Sequence, residues 1–248
     1  MNIIKLNAID STNLYLKKLA DENNLENFTV AVARNQTAGR GQMGTNWVSE
    51  NNKNLTFSML IVFGEFKISH QFYISIAVAI AVIEVLKNYV NNSLVIKWPN
   101  DILADENKVS GILIENSLKG GKINNSIIGV GLNVNQEIFP TNIGKVSSLK
   151  LLSGTEIETD ELLIELINSL KKYLNFVSEE KFEALKEMYY SNLYMFNKST
   201  EFVDNLGLKF IGKIISVGED GRLEVEIEPK KTRKFNLKEI KFASRDII

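Results

Sequence analysis

Between Gln71 and Tyr89 the chain carries Phe72-Tyr73-Ile74-Ser75-Ile76-Ala77-Val78-Ala79-Ile80-Ala81-Val82-Ile83, apolar at nearly every position. At helical spacing this leaves no polar face, so the run reads as a helix at the centre of a core. Its uninterrupted part, around Ile76 to Ile83, falls far short of the about 18 residues that a membrane span needs. The chain has 248 residues, 44% hydrophobic and 24% charged. That suffices to enclose such a helix, in one large domain or in a large domain plus a small one. The segment Asn2 to Leu6 lacks the basic-then-apolar form of a signal peptide. The expectation is a soluble cytoplasmic protein with no membrane partner.

Absent residue types narrow the chemistry. There is no Cys, which excludes disulfides, thiolate nucleophiles and Cys-based zinc or iron–sulfur sites. His70 is the single His, which excludes multi-His metal sites and any Ser-His-Asp triad built on another His. In the turn before the apolar helix, His70 itself is expected to be solvated or capping. A metal here would have oxygen ligands, as Mg²⁺ prefers. Lys plus Arg number 29 and Asp plus Glu 30, so 29 − 30 leaves −1, against a general nucleic-acid binder.

Along the chain, residues 2–9 read as a strand. Asp10-Ser11-Thr12-Asn13 is a cluster of helix N-cap residues before an amphipathic helix marked by Leu14, Leu16 and Leu19. Strands are expected at Phe28 to Ala33, Leu55 to Ile61 and Leu94 to Trp98, and as a pair at Val109 to Glu115 and Ser126 to Val134 around a Lys119-Gly120-Gly121-Lys122 turn. Between the first two, Asn35 to Asn54 forms a polar loop too long to be a mere connector, and it is expected to pack poorly until a ligand orders it. Helices follow at about 159–175 and 179–191 by apolar periodicity. From Asn197 onward only short strands remain, at Glu201 to Val203, Lys209 to Val217, Arg222 to Ile227 and Lys234 to Asn236. The reading is α+β: a mixed β-sheet domain with flanking helices over 1–196, and a small SH3-like β-barrel over 197–248. Residues 198–248 carry 11 basic and 9 acidic side chains, so this end is not a basic arm.

Three motifs carry chemistry. Gly39-Arg40-Gly41-Gln42-Met43-Gly44 formally matches G-x-G-x-x-G. A dinucleotide loop must open into a helix, whereas this one runs through Thr45 to Asn52 toward a strand, so it is not a Rossmann turn. Its glycines still let backbone N–H groups approach an anion, and Arg40 adds a positive fork. On loop physics alone, an ordinary mobile loop is an equal reading. Lys97-Trp98-Pro99-Asn100-Asp101 ends a strand in a turn that presents a carboxylate, and Lys108-Val109-Ser110-Gly111 follows. Those residues alone also fit a solvated turn. In Gly129-Val130-Gly131-Leu132-Asn133-Val134-Asn135, the two glycines mark close approach by a ligand or another backbone, or a bulge. The Asn133 amide could read an adenine edge.

Taken in order, Asp10-Ser11-Thr12-Asn13, Gln36-Thr37-Ala38-Gly39-Arg40-Gly41 with Gly44 and Trp47, Lys97 to Asp101, Lys108 with Gly111-Ile112-Leu113-Ile114-Glu115, and Gly129 to Asn135 resemble the biotin protein ligases, or biotin–[acetyl-CoA-carboxylase] ligases. The resemblance implies two steps: biotin and ATP give biotinyl-5'-AMP and pyrophosphate, and a lysine of a biotin carboxyl carrier protein domain then takes the biotin, releasing AMP. It implies biotin contacts from Ser11, Thr12, Asn13, Gln36, Gly39, Arg40, Gly41, Gln42, Lys108 and Gly111. It implies ATP or adenylate contacts from Arg40, Gln42, Trp47, Lys108 and Asn133, with Trp47 as a flat face for adenine. Arg40, Lys108 and Asp101 would be catalytic. Asp101 would orient the incoming amine or help to bind Mg²⁺.

Two departures stand out. Many relatives carry Arg where this chain has Gln42, which shifts the charge burden to Arg40 and Lys108. Only nine residues precede Asp10, so the helix-turn-helix domain of family members that double as repressors is not expected, nor is DNA binding. A homodimer stays open. The rivals are a lipoate–protein ligase and a non-catalytic SH3-like binding module.

Overall fold

The computed structural model describes residues 2–141 and 143–243. Its main sheet has seven strands: β1 (Ile3–Ile9), β2 (Val30–Gln36), β3 (Leu55–Lys67), β4 (Leu94–Lys97), β5 (Asp101–Ala104), β6 (Asn107–Lys119) and β7 (Lys122–Leu132). They lie in the order β1-β2-β3-β7-β6-β5-β4. β1 and β2 are parallel and the remaining pairs antiparallel. The parallel pair needs a crossover, which α1 (Thr12–Glu22) supplies. The β6–β7 ladder continues to Lys119↔Lys122, beyond the strand ends expected from sequence, because Gly120 and Gly121 both adopt the positive φ that closes the turn.

The apolar run forms α2 (Gln71–Leu86), with Tyr73, Ala77, Val78, Ile80, Ala81 and Ile83 among its buried residues. α4 (Thr159–Ser178) and α5 (Phe182–Asn192) pack on it, and strands β4, β5 and β6 pack on its other side. With its preceding 3-10 turn the helix runs from Ile68 to Leu86, which by length and composition alone could cross a membrane. The uninterrupted apolar part, Ile76 to Ile83, is much shorter, and the added length comes from the flanking turns of the same helix. What covers the helix is the protein's own sheet and helices, so it is a core helix.

The C-terminal part is a five-stranded antiparallel sheet of β8 (Ser199–Asp204), β9 (Lys209–Val217), β10 (Leu223–Glu228), β11 (Lys231–Phe235) and β12 (Ile240–Phe242), ordered β11-β10-β9-β8-β12. Phe202, Ile214, Val225 and Phe235 fill it. Its apolar cluster is continuous with that of the main sheet, and Trp98 Nε1 donates to the Gly221 carbonyl at 2.9 Å across the join. Residues 244–248, assigned to the barrel from sequence, lie outside the described residues, as does Met1.

Short elements escaped the sequence reading: β5, β12 and α3 (Leu149–Ser153), each of three to five residues, too few to show a period. The N-cap cluster behaves differently from its expectation. Ser11 occupies the cap position of α1, yet its side chain makes no cap bond. Thr12 and Asn13 turn their side chains toward the sheet. His70 is half-buried and occupies the N-cap position of α2, but its side chain makes no cap bond. It packs edge-on against Phe182 at 4.7 Å and beside Phe66 and Tyr73, with Nδ1 buried and unpartnered among the described residues.

Candidate active site

The motif residues converge on one cavity of about 290 Å³ over the middle of the main sheet. Ser11, Thr12, Asn13, Gln36, Arg40, Gly41, Gln42, Trp47, Asp101, Lys108 and Gly111 all line it. Gly39 and Asn133, expected there as well, do not. Gly39 acts one layer back. Its carbonyl accepts from the Trp47 N–H at 2.9 Å, and a Cβ on it would meet the Trp47 carbonyl oxygen.

The cavity floor is formed by Thr12, Asn13 and Gln36 and is backed from beneath by Ser58. The Thr12 N–H donates to Gln36 Oε1 at 2.8 Å, and Thr12 Oγ1 lies 3.0 Å from the same oxygen. Ser58 Oγ sits 2.7 Å from Thr12 Oγ1 and 2.6 Å from Asn13 Oδ1. These are three hydroxyl-mediated contacts with two hydroxyl protons between them. The Ser58 proton is therefore shared between the Thr12 and Asn13 oxygens, which leaves Thr12 Oγ1 short of a donor and able to accept from a ligand N–H. Asn13 Nδ2 donates to Glu115 Oε2 at 2.9 Å, and Glu115 Oε1 pairs with Arg40 at 3.4 Å. The floor thus runs without a break to the loop cation. Gly129 lies under Asn13: a Cβ there would fall 2.3 Å from Asn13 Oδ1.

The Gly-Arg-Gly segment is a small hairpin. Arg40 bridges Asn46, and the Gly41 N–H donates to the Thr45 carbonyl at 2.7 Å. The far half of the loop is tied down too, by Asn54 to Gln136 and by the Asn135 N–H to the Lys53 carbonyl at 2.6 Å. Hydrogen bonds thus fix both ends of the loop, while between them only Gly39 is buried. Its tip remains open, with Met43 60% exposed.

Trp47 explains the paired glycines. Gly111 and Gly131 are partners on β6 and β7, and Cβ atoms on them would lie 3.0 and 2.4 Å from the indole. They form a shelf for the ring. Within the protein, the close approach read from the sequence is made by the Trp47 and Asn13 side chains, and both glycines also line the cavity. The indole Nε1 is buried without a partner among the described residues. Beyond Trp47 lies a second cavity of about 110 Å³ lined by Asn46, Trp47, Lys108, Asn133 and Phe139. Asn133 belongs to this one, its Nδ2 donating to the Ser147 carbonyl at 3.1 Å.

Lys108 Nζ stands 2.7 Å from Asp101 Oδ1, an ion pair without the alignment of a hydrogen bond, and 5.6 Å above the Trp47 ring. Asn100 fixes the turn that presents Asp101, exchanging bonds with Ile112 of β6 at 2.7 and 3.0 Å. Of the Lys97-to-Asp101 motif, Trp98 therefore joins the two sheets, Asn100 locks the turn, and Asp101 faces the cavity. Sequence reasoning missed Ser58, whose signal was a polar residue inside an otherwise buried strand. It quoted Glu115 without assigning it a role. It missed Leu237 and Lys238, which reach the cavity from the C-terminal sheet.

A cavity with a hydrogen-bonding floor, three lining cations (Arg40, Lys108 and Lys238) and an indole partition suits joining a small polar-headed acid to a nucleotide. The family model described as the biotin/lipoate A/B protein ligase family matches residues 6–133, just over half of the chain. The chain belongs to the biotin/lipoate A/B protein ligase family. Within it, the chain is an enzyme of the biotin protein ligase kind. It is 29% identical over 231 residues to the bifunctional ligase/repressor BirA of Bacillus spizizenii, covering 92% of this chain and 70% of that one. It is 35% identical over 127 residues to the biotin–[acetyl-CoA-carboxylase] ligase of Paracoccus denitrificans, about half of each chain. The biotin protein ligase of Aquifex aeolicus, solved with biotin and ATP, superposes with a TM-score of 0.79 at 28% identity over 97% of both chains.

A resident metal does not fit the site. Among the described residues no group of three or more His, Asp or Glu could hold one, and Asp101 is already paired with Lys108.

Proposed function

We propose that this chain is an ATP-dependent biotin–protein ligase that forms biotinyl-5'-AMP and transfers biotin to a lysine of the carrier protein of acetyl-CoA carboxylase, or of a related carboxylase. The observation that carries the reading is the one cavity that joins the Thr12 and Gln36 floor, backed from beneath by Ser58, to Arg40 and Lys108. Biotin's ureido head offers one carbonyl and two N–H groups, and the Thr12 hydroxyl oxygen, short of a donor, can accept from such an N–H. Lipoate's dithiolane has none, so the floor favours biotin.

In the first step a biotin carboxylate oxygen bonds to the α-phosphorus and the bond to the β-phosphate breaks, releasing pyrophosphate. Arg40 and Lys108 hold the carboxylate and α-phosphate together against their repulsion, where preorganised charge acts most strongly. Trp47 and Asn133 take the adenine, Trp47 by its exposed edge and face and Asn133 from the adjoining cavity. Gln42 hydrogen-bonds phosphate without adding charge. Mg²⁺ enters with the ATP phosphates as part of the substrate, the mode in which it needs few protein ligands. In the second step the carrier amine attacks the acyl carbon, the bond to the phosphate breaks, and AMP departs. Asp101 receives or orients the amine's proton. A groove of about 700 Å³ lined by Lys97, Asp101, Phe202 and Lys241 offers the carrier a route between the sheets.

The catalytic unit is taken as residues 1–196 and the small domain as 197–248, with an SH3-like fold. The reaction is placed in the cytoplasm. The test is biotin-dependent ATP–pyrophosphate exchange on the purified chain, with lipoate as the competing acid. Exchange with lipoate but not biotin would transfer the reading to lipoate.

A further inference from the structure

We propose that Lys238, from the C-terminal sheet, is a phosphate-binding residue of the adenylation site that takes the β- and γ-phosphates of ATP and so the leaving pyrophosphate. This rests on the ligase reading above.

Lys238 stands in the turn between β11 and β12 and lines the same cavity as Arg40 and Lys108. Its Nζ donates to the Met43 carbonyl at 3.0 Å, at the open tip of the Gly-Arg-Gly hairpin. An ammonium has three donors, and a single carbonyl uses one of them. The other two cations of the cavity already face carboxylates, Lys108 with Asp101 at 2.7 Å and Arg40 with Glu115 at 3.4 Å. Among the described residues no carboxylate pairs with Lys238. Among the described residues it is therefore the lining cation that faces no carboxylate. The incoming triphosphate is a polyanion, and the hairpin from Gly39 to Trp47 supplies one cation, Arg40.

The backbone adds an independent sign. Lys238 has φ +64° and Met43 has φ +52°, the left-handed region that glycine adopts freely and residues with a Cβ resist. Two such residues meeting across the mouth of a cavity are held there by their surroundings, as strained residues at functional sites are. A glycine at 238 would relax the turn, whereas the lysine places a mobile charge over the hairpin.

The experiment is biotin-dependent ATP–pyrophosphate exchange on the full chain, comparing wild type, Lys238→Gly and Lys238→Arg. Lys238→Gly should raise the KM for ATP and for pyrophosphate about tenfold, the loss of one charge-assisted hydrogen bond. The KM for biotin and the thermal midpoint should hold, since glycine suits that φ. Lys238→Arg should keep most of the nucleotide affinity. Unchanged ATP and pyrophosphate KM values in Lys238→Gly would overturn the proposal. So would ATP and biotin KM values rising together with a lower midpoint, which would make Lys238 a structural clasp on the hairpin. A wild type without any exchange would sink the ligase reading instead. Calorimetry of inorganic pyrophosphate binding to wild type and Lys238→Gly would then still decide the role of Lys238.

Discussion

The floor and the rim of the cavity are built on opposite principles. At the floor, Thr12 and Asn13 are each 3% exposed and Ser58 is fully buried. They are short side chains on α1 and β3, tied to one another and to Gln36 within 3.0 Å. Little rotamer entropy is left for a ligand to freeze. At the rim, Arg40 and Lys108 are long side chains, 42% and 32% exposed, each with one carboxylate partner. The floor is set for a neutral head whose shape does not change. The rim can follow charge that moves from carboxylate to leaving group during the reaction.

The largest expected effect breaks the rim. Lys108→Ala should slow adenylate formation by roughly 10²–10³, about 2.7–4 kcal/mol, in a single-turnover assay. Lys108→Arg should recover part of this, because a planar fork does not replace a compact charge. Lys119→Ala, in the β6–β7 turn, should be silent, and equal damage there would remove Lys108 from the site. Next, Ser58→Ala should weaken biotin binding by about 1–3 kcal/mol, since it strands the Thr12 and Asn13 oxygens. Calorimetry should show this with the ATP KM unchanged, and an equal rise in that KM would erase the distinction between floor and rim.

Trp47→Ala should raise the ATP KM by about 1 kcal/mol, the low end of the roughly 1–3 kcal/mol of base–aromatic stacking, because one face of the indole already rests on Gly111 and Gly131. Biotin affinity falling in its place would make Trp47 a packing residue alone. The smallest effect lies outside the cavity, at Glu84, where α2 meets α4. Burial pushes its carboxyl up, but hydrogen bonds from Lys172 and Ser169 outweigh this and hold it below the ordinary Glu value. The stabilisation is thus full above that ordinary value and is lost as pH falls through the lowered one. Glu84→Gln should flatten this acid limb in urea titrations by less than about 1 kcal/mol, the pair being 39% and 51% exposed. Activity at neutral pH should not change.

How much was legible follows from the range of the signals. The apolar run gave α2, and turn chemistry at Gly120-Gly121 gave the hairpin. β5 and β12 were invisible because three or four residues carry no period. The N-cap cluster marked the start of α1 correctly, but Ser, Thr and Asn serve a helix end and a pocket with the same hydroxyls and amides, so the cluster alone could not tell that Thr12 and Asn13 turn to the pocket. The paired glycines signalled close approach correctly but could not name Trp47 as the approaching group.

By itself the sequence determined the chemistry at hand: no thiol, one imidazole, oxygen and nitrogen donors in a fixed order along the chain. These are local properties of composition and spacing. Only the tertiary structure decided who meets whom. It set Ser58 beneath Thr12, seated the indole on two strands at once, paired Arg40 with Glu115 across 75 positions and brought Lys238 to Met43 across 195. Such pairings depend on strand order and register, which sum weak preferences over the whole chain and leave no mark at any single residue.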